Sequence, residues 1–265
     1  MVMSPKAGFS ISALALSVLT AALANTDRTV GTARETVLSG LLQAVVLMVL
    51  IWLTAGIWNA GNARHRTAAL AMSLAFLAEL AQTVVQAQRV AQQEFHSMAL
   101  VGILPLLLWA GWTLTPNNWN APARTLWWFI FLGGIVCLAG LVGQMRWFRL
   151  LAESTPQQPE ALLYAEYFAV PLLCLQEQPG RGVCLPWAVY AVQAGAALGT
   201  QLIFGCQSYP VQELLRAWSV GAFSRMDALL LLIWLCCAVY RICFLCAALR
   251  ICLRAALGAG KELAG

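Results

Sequence analysis

The chain has 265 residues, 61% of them hydrophobic and only 10% charged, against about 25% charged in an average soluble domain. That balance describes an all-α integral membrane protein and excludes a soluble enzyme or carrier. The formal net charge of +5 comes from Lys and Arg at the ends of apolar runs and in the loops, as at Arg64, Arg66, Arg146, Arg149, Arg250 and Arg254, so no nucleic-acid partner is expected.

Eight apolar segments follow in chain order, at 9–24, 37–58, 68–90, 98–114, 126–145, 162–175, 186–204 and 228–249. Each reads as a membrane helix in a single transmembrane domain covering 1–265. At about 1.5 Å per residue the first and sixth are too short to cross a hydrocarbon core of about 30 Å, and transporters often break such helices to expose backbone groups. Lys6, a Ser/Ala/Leu run and Ala22-Leu23-Ala24 also fit a cleavable signal peptide. The reading adopted is a retained first helix, as multi-spanning proteins commonly keep theirs. Between the seventh and eighth segments, 211–223 combines Leu214, Leu215, Trp218 and Val220 with Glu213 and Arg216, the pattern of a short interfacial helix.

Orientation is poorly encoded. With the N-terminus inside, Lys6, Arg64, Arg66, Arg124, Arg181, Arg250, Arg254 and Lys261 face Arg28, Arg34, Arg89, Arg146, Arg149, Arg216 and Arg225 across the membrane, eight against seven, and the positive-inside rule has nothing to act on. Trp109, Trp112, Trp119, Trp127, Trp128, Trp147, Trp187 and Trp218 sit near segment ends as an aromatic belt would.

Polar residues inside these segments are the candidates for function. In the third, Glu79, Gln82, Thr83, Gln86, Arg89 and Gln93 recur every three or four residues and form a stripe that cannot face lipid. It is either an interhelical hydrogen-bonding face or the wall of a polar pathway through Glu79, Gln82, Thr83 and Gln86. In the eighth, Arg241 lies within an unbroken apolar run, where a guanidinium costs at least about 2.5 kcal/mol and needs a partner inside the protein.

Glu166 is the first partner expected for Arg241, and Glu79 the second. Glu166 precedes Pro171 by five residues in the sixth segment. A proline there denies the Tyr167 carbonyl its helical donor, so the helix is expected to open beside the acid and offer a carbonyl and a carboxylate to a cation or an amino group. In the seventh segment Ala191, Gly195 and Gly199 predict a close helix contact, and Gly133, Cys137 and Gly140 in the fifth read the same way.

Nine cysteines raise metal and disulfide chemistry, and position argues against both. Cys243 and Cys246 have CxxC spacing on an apolar helix with no His nearby, where thiols pack as small hydrophobes. Cys184 and Cys206 flank one segment and fall on opposite sides of the membrane. His65 and His96 have no acid or nucleophile at motif spacing, and no phosphate loop or HExxH motif occurs. No enzyme, metal or cofactor is expected.

Ser208-Tyr209-Pro210, then Val220-Gly221-Ala222-Phe223, Arg225, Asp227-Ala228-Leu229, Trp234 and Tyr240-Arg241-Ile242 resemble the spore germination permease family, the B subunits of germinant receptors, related to the amino acid-polyamine-organocation transporters. In that family a Tyr-Pro precedes an interfacial piece, an aromatic-x-Arg-x-Asp opens the eighth helix, and Lys or Arg follows an aromatic near its middle. Tyr164-Ala165-Glu166 through Pro171-Leu172-Leu173 is similar to the family's sixth helix, and 31–39 (GTARETVLS) to the loop before helix two, with Val37 where the family usually has Trp.

Family members have ten helices in two inverted repeats, so the resemblance implies a permease fold truncated to about eight, and the first segment lacks the Gly and Pro that break helix one in relatives. It also implies a bacterial cytoplasmic or spore inner membrane location, other receptor subunits as partners, and a small nutrient such as an amino acid bound at mid-membrane. The site it implies comprises Glu166 and Arg241, shaped by Ala165, Tyr167 and Pro171. An amino acid or cation transporter, or a structural subunit without ligand, remains open beside the receptor reading.

Overall fold

The computed structural model describes residues 8–25, 33–58, 62–96, 99–151, 164–174, 179–205 and 226–257. Its α-helices are α1 (Ile11–Asn25), α2 (Ala33–Trp58), α3 (Asn62–Phe95), α4 (Ala99–Thr113), α5 (Asn120–Val142), α6 (Ala165–Leu173), α7 (Leu185–Phe204) and α8 (Met226–Ala256), with short 3-10 turns before α5 and α7 and after α5. There is no strand among the described residues.

Among the described residues, five helical stretches are long and apolar enough to cross a membrane: Val37–Thr54, His65–Gln92, Pro116–Val142, Gly182–Phe204 and Leu229–Ala256. The first and fourth expected spans are apolar but shorter, at Ile11–Leu23 and Leu100–Thr113, and the sixth is a helix of nine residues. The interfacial helix expected at 211–223, Cys206, Trp218 and the Ser208-to-Arg225 part of the resemblance lie outside the described residues.

α1 is the most enclosed helix. Ala13, Leu14, Leu16, Val18 and Ala22 are fully buried, and the helix packs against α8, α7 and α5. Its 15 residues extend about 22 Å, which suffices because its surroundings are protein rather than lipid. Ser10 caps it, accepting the Ala13 N–H on its hydroxyl at 3.2 Å. The approach is pinned at both sides: Phe9 N–H donates to the Leu173 carbonyl at the end of α6, 3.0 Å, and Ser10 N–H donates to the Asn120 carboxamide at the start of α5, 2.9 Å. The first segment is thus built into the core of the described helices.

α8 is the other central element, with residues 241–248 all buried and α3, α4, α1 and α5 against it. α2 pairs with α7. α2 and α5 turn large apolar side chains outward, among them Leu42, Trp52, Leu53, Trp128, Phe131 and Leu132, the surface a bilayer would cover.

Small residues allow close approach, though not where the spacing predicts it. A Cβ at Gly111 of α4 would lie 2.6 Å from the Cys243 carbonyl oxygen and 2.8 Å from the Cys246 Cβ, whereas one at Gly195 of α7 meets nothing within 4 Å. Ala191 is exposed beside Gly195, so at these two positions the small face of α7 makes no tight contact among the described residues. A four-residue period marks a face without saying which way it turns. Gly133 behaves as expected, its Cβ position 3.0 Å from Leu230. Gly111→Ala is therefore expected to cost about 1–3 kcal/mol through overpacking, read as a lower thermal midpoint in detergent, and Gly195→Ala to leave that midpoint unchanged.

Trp109, Trp112, Trp128 and Trp147 are exposed, consistent with a belt. Trp119 and Trp127 depart from it. Trp119 is buried with its ring edge-on to Tyr240 at 6.3 Å, and the Trp127 indole donates to the Ser12 carbonyl of α1 at 2.9 Å. Cys243 and Cys246 turn toward α4, their thiols donating to the carbonyls of Leu107 at 3.5 Å and Leu108 at 3.3 Å. Arg250 reaches the same helix and satisfies its last carbonyls, at Trp112 and at Leu114, the latter 2.8 Å away.

Candidate functional site

Arg241 stands at the midpoint of the 31-residue α8, and Glu79 near the middle of the 34-residue α3. Ser17, halfway along α1, and Glu166, in the first turn of α6, meet them at the same depth. The guanidinium ion-pairs with both acids: Nη2 lies 2.7 Å from Glu79 Oε2, and Nη1 lies 2.7 Å from Glu166 Oε1. Arg241 Nε donates to Thr83 Oγ1 at 3.1 Å, Nη1 donates to the Ser17 carbonyl, and the Tyr164 ring lies 5.8 Å from Cζ, within cation–π range. Side-chain exposure is 2% for Arg241, 0% for Glu166 and 15% for Glu79, so these charges depend on one another rather than on solvent.

The junction of α3 and α6 explains how a nine-residue helix is held in place. Tyr164 is extended, with φ −115° and ψ 135°, and provides no side-chain cap. The cap comes from another helix: Glu79 Oε1 accepts the Ala165 N–H at 2.6 Å, placing a carboxylate at the positive end of α6. Glu79 therefore joins the α6 N-terminus to Arg241. Ser17 completes the ring by donating from Oγ to Glu166 Oε1 at 2.8 Å, which brings the short helices α1 and α6 into direct contact.

Several expectations need correction. α6 runs through Pro171 to Leu173, so the open end beside Glu166 is the helix N-terminus and not the Tyr167 carbonyl: a proline near the last turn removes one donor at a point where the helix is about to end. Ala165 takes part through its backbone alone. Tyr167 is 1% exposed and lines, with Gln43, Tyr190 and Gln193, a crevice of about 10 Å³ between α2, α6 and α7, with no hydrogen bond to the guanidinium. Pro171 is half-buried and makes no polar contact with Arg241.

The α3 stripe also divides. Thr83 and Gln86 line a second crevice of about 10 Å³ beside Arg241, with Thr20, Ala21, Trp234 and Ala238. Gln82 and Arg89 are exposed. At about 100° per residue, Gln82 and Arg89 lie about 60–80° around the helix from Glu79, whereas Thr83 and Gln86 stay within about 40°. Glu79, Thr83 and Gln86 thus share the inner face of α3, and Gln82 lies off it.

A space of about 10 Å³ holds roughly one water, far below the usual 300 Å³ or more of a small-molecule pocket. The centre is thus closed. A larger recess of about 290 Å³ lies between α1, α5, α7 and α8, walled by groups such as Leu19, Trp127, Ile130 and Leu230. Thr20 and Trp234 border both spaces, so this pair separates the apolar recess from the ion-paired centre.

Sequence reasoning missed Ser17, which looks like one more small residue in a Ser/Ala/Leu run, and the capping role of Glu79. The only available signal for Ser17 was its place in a segment too short to span. The chain has no match among protein-family models, curated proteins or solved structures. The class defined by the fold and composition is a helical integral membrane protein, with five helices among the described residues long and apolar enough to cross a bilayer.

Proposed function

We propose that the chain is the membrane subunit of a germinant-receptor-like complex, sensing a small nutrient such as an amino acid at the Glu79–Arg241–Glu166 centre and signalling to partner subunits. The architecture proposed is an eight-span bundle, a shortened inverted-repeat amino acid permease fold, in the bacterial cytoplasmic membrane or the spore inner membrane. One observation carries this reading: a closed Glu–Arg–Glu centre at mid-depth, where the short helices α1 and α6 meet at the Ser17–Glu166 hydrogen bond.

The chemistry suits a zwitterion. A nutrient carboxylate can take the place of a glutamate on the Arg241 fork, and its ammonium group can take the glutamate so released, exchanging ion pairs one for one. A crevice of about 10 Å³ means that this exchange requires the helices to part, and such a movement can be passed to a partner subunit.

Purified protein in proteoliposomes is expected to bind a radiolabelled amino acid without accumulating it, and Glu166→Gln to abolish binding while the protein remains abundant. Concentrative uptake would replace the receptor reading with a secondary transporter. Absence of binding and uptake across all common amino acids would leave a structural subunit.

A further inference from the structure

The centre brings two carboxyl groups to one guanidinium, and the second acid is what the ion pair alone does not explain. An arginine side chain remains charged in proteins, so with both acids ionised the ring carries one excess negative charge at mid-membrane. Among the described residues no other ionic side chain pairs with either acid. Around the pair stand Arg241 from α8 and the phenol rings of Tyr164 and Tyr167 from α6, while α1 contributes the Ser17 hydroxyl.

Two features of the geometry point the same way. Glu166 Oε2 is buried and has no hydrogen-bond partner among the described residues, an arrangement unfavourable for a full carboxylate, which accepts only. The Glu79 and Glu166 carboxyl groups also share one guanidinium, each with an oxygen 2.7 Å from one of its terminal nitrogens. Gathered on a single positive charge in a buried site, two carboxylates repel unless one of them carries a proton.

We infer that the centre is a proton-binding site, in which Glu79 and Glu166 hold one exchangeable proton between them and the Glu–Arg–Glu cluster is neutral in the closed state. The proton comes from solvent, adds to a carboxylate oxygen and leaves by the same route, with no other bond made or broken. Buried intramembrane acids of this kind serve as proton carriers. Where the nutrient reading also holds, an incoming ammonium group would displace this proton, which makes binding proton-linked. That consequence rests on the proposed function, but the proton itself does not.

Infrared spectroscopy of the purified protein in nanodiscs at neutral pH tests the inference directly. Expected is the carbonyl stretch of a buried protonated carboxyl, shifted to lower frequency in D2O, and lost in Glu79→Gln or in Glu166→Gln. Each of these variants leaves a single carboxylate on Arg241 and so a balanced pair. Ser17→Ala, a change small enough to spare the fold, should move the band to higher frequency by removing the hydroxyl that donates to Glu166. A wild-type spectrum without such a band, or a band that none of the three variants alters, overturns the inference. Stabilisation by sodium without the band would assign the missing positive charge to a metal cation instead. None of these results depends on nutrient binding, so the two proposals can fail separately.

Discussion

Arg241→Leu is expected to cost about 3–5 kcal/mol, the usual penalty for removing one member of a buried ionic group, and to reduce the folded protein recovered from membranes severalfold. A domain of this kind is stable by only about 5–15 kcal/mol in total, so the loss is a large fraction of what is available. The cause is local: without the guanidinium, Glu79 and Glu166 face each other with one proton between them and no cation. Thr83 is spared, because its hydroxyl also donates to the Glu79 carbonyl at 2.8 Å.

Two companion variants separate charge from shape. Arg241→Lys restores a cation with three donors on one nitrogen, which cannot span two carboxylates, a hydroxyl and a backbone carbonyl as a planar fork does, so partial recovery is expected. Adding Glu79→Gln and Glu166→Gln to Arg241→Leu removes the excess charge and should recover most of the lost protein. Thermal unfolding in detergent, followed by tryptophan fluorescence, reads the series. If Arg241→Leu melts with the wild type, the ion pairs do not hold the bundle together.

The sequence made the depth and the need for a partner legible, because a guanidinium in an apolar run has few options whatever the tertiary structure. It also put Glu79 and Glu166 forward as partners. Neither the joint use of both nor the capping of α6 by Glu79 could be read, since a helical period fixes the direction of a face relative to its own axis and not relative to its neighbours. The same limit explains the α7 small-residue face that turns outward and Gln82 leaving the inner stripe. α3 proved longer than its apolar core, Asn62–Phe95 against 68–90, because flanking Ala63, Arg64, Arg66, Gln92 and Gln93 continue a helix at little cost. Trp119 and Trp127 were misplaced for a different reason. Position near a segment end is compatible with lipid anchoring and with packing at a helix junction, and the 3-10 turn Pro116–Trp119 decides in favour of packing.

The sharpest separation of structure from function comes from replacing the whole centre: Glu79→Gln, Glu166→Met and Arg241→Met together. Buried ionic clusters exchanged for apolar groups of similar volume are often neutral to stability, or stabilising by about 1–4 kcal/mol, because the desolvation of the charges disappears along with their attraction. Glutamine rather than methionine is required at 79, since its carboxamide oxygen can still accept the Ala165 N–H that starts α6. Unbranched methionine follows the course of the glutamate and arginine stems without a change at Cβ. The triple variant is therefore expected to accumulate and melt at or above the wild type, in contrast to Arg241→Leu, and to lose amino acid binding entirely. A triple variant as unstable as Arg241→Leu would mean that the polar centre holds the helices in register by more than charge balance. One that folds and still binds would move the nutrient site elsewhere, with the recess beyond Thr20 and Trp234 the next place to search.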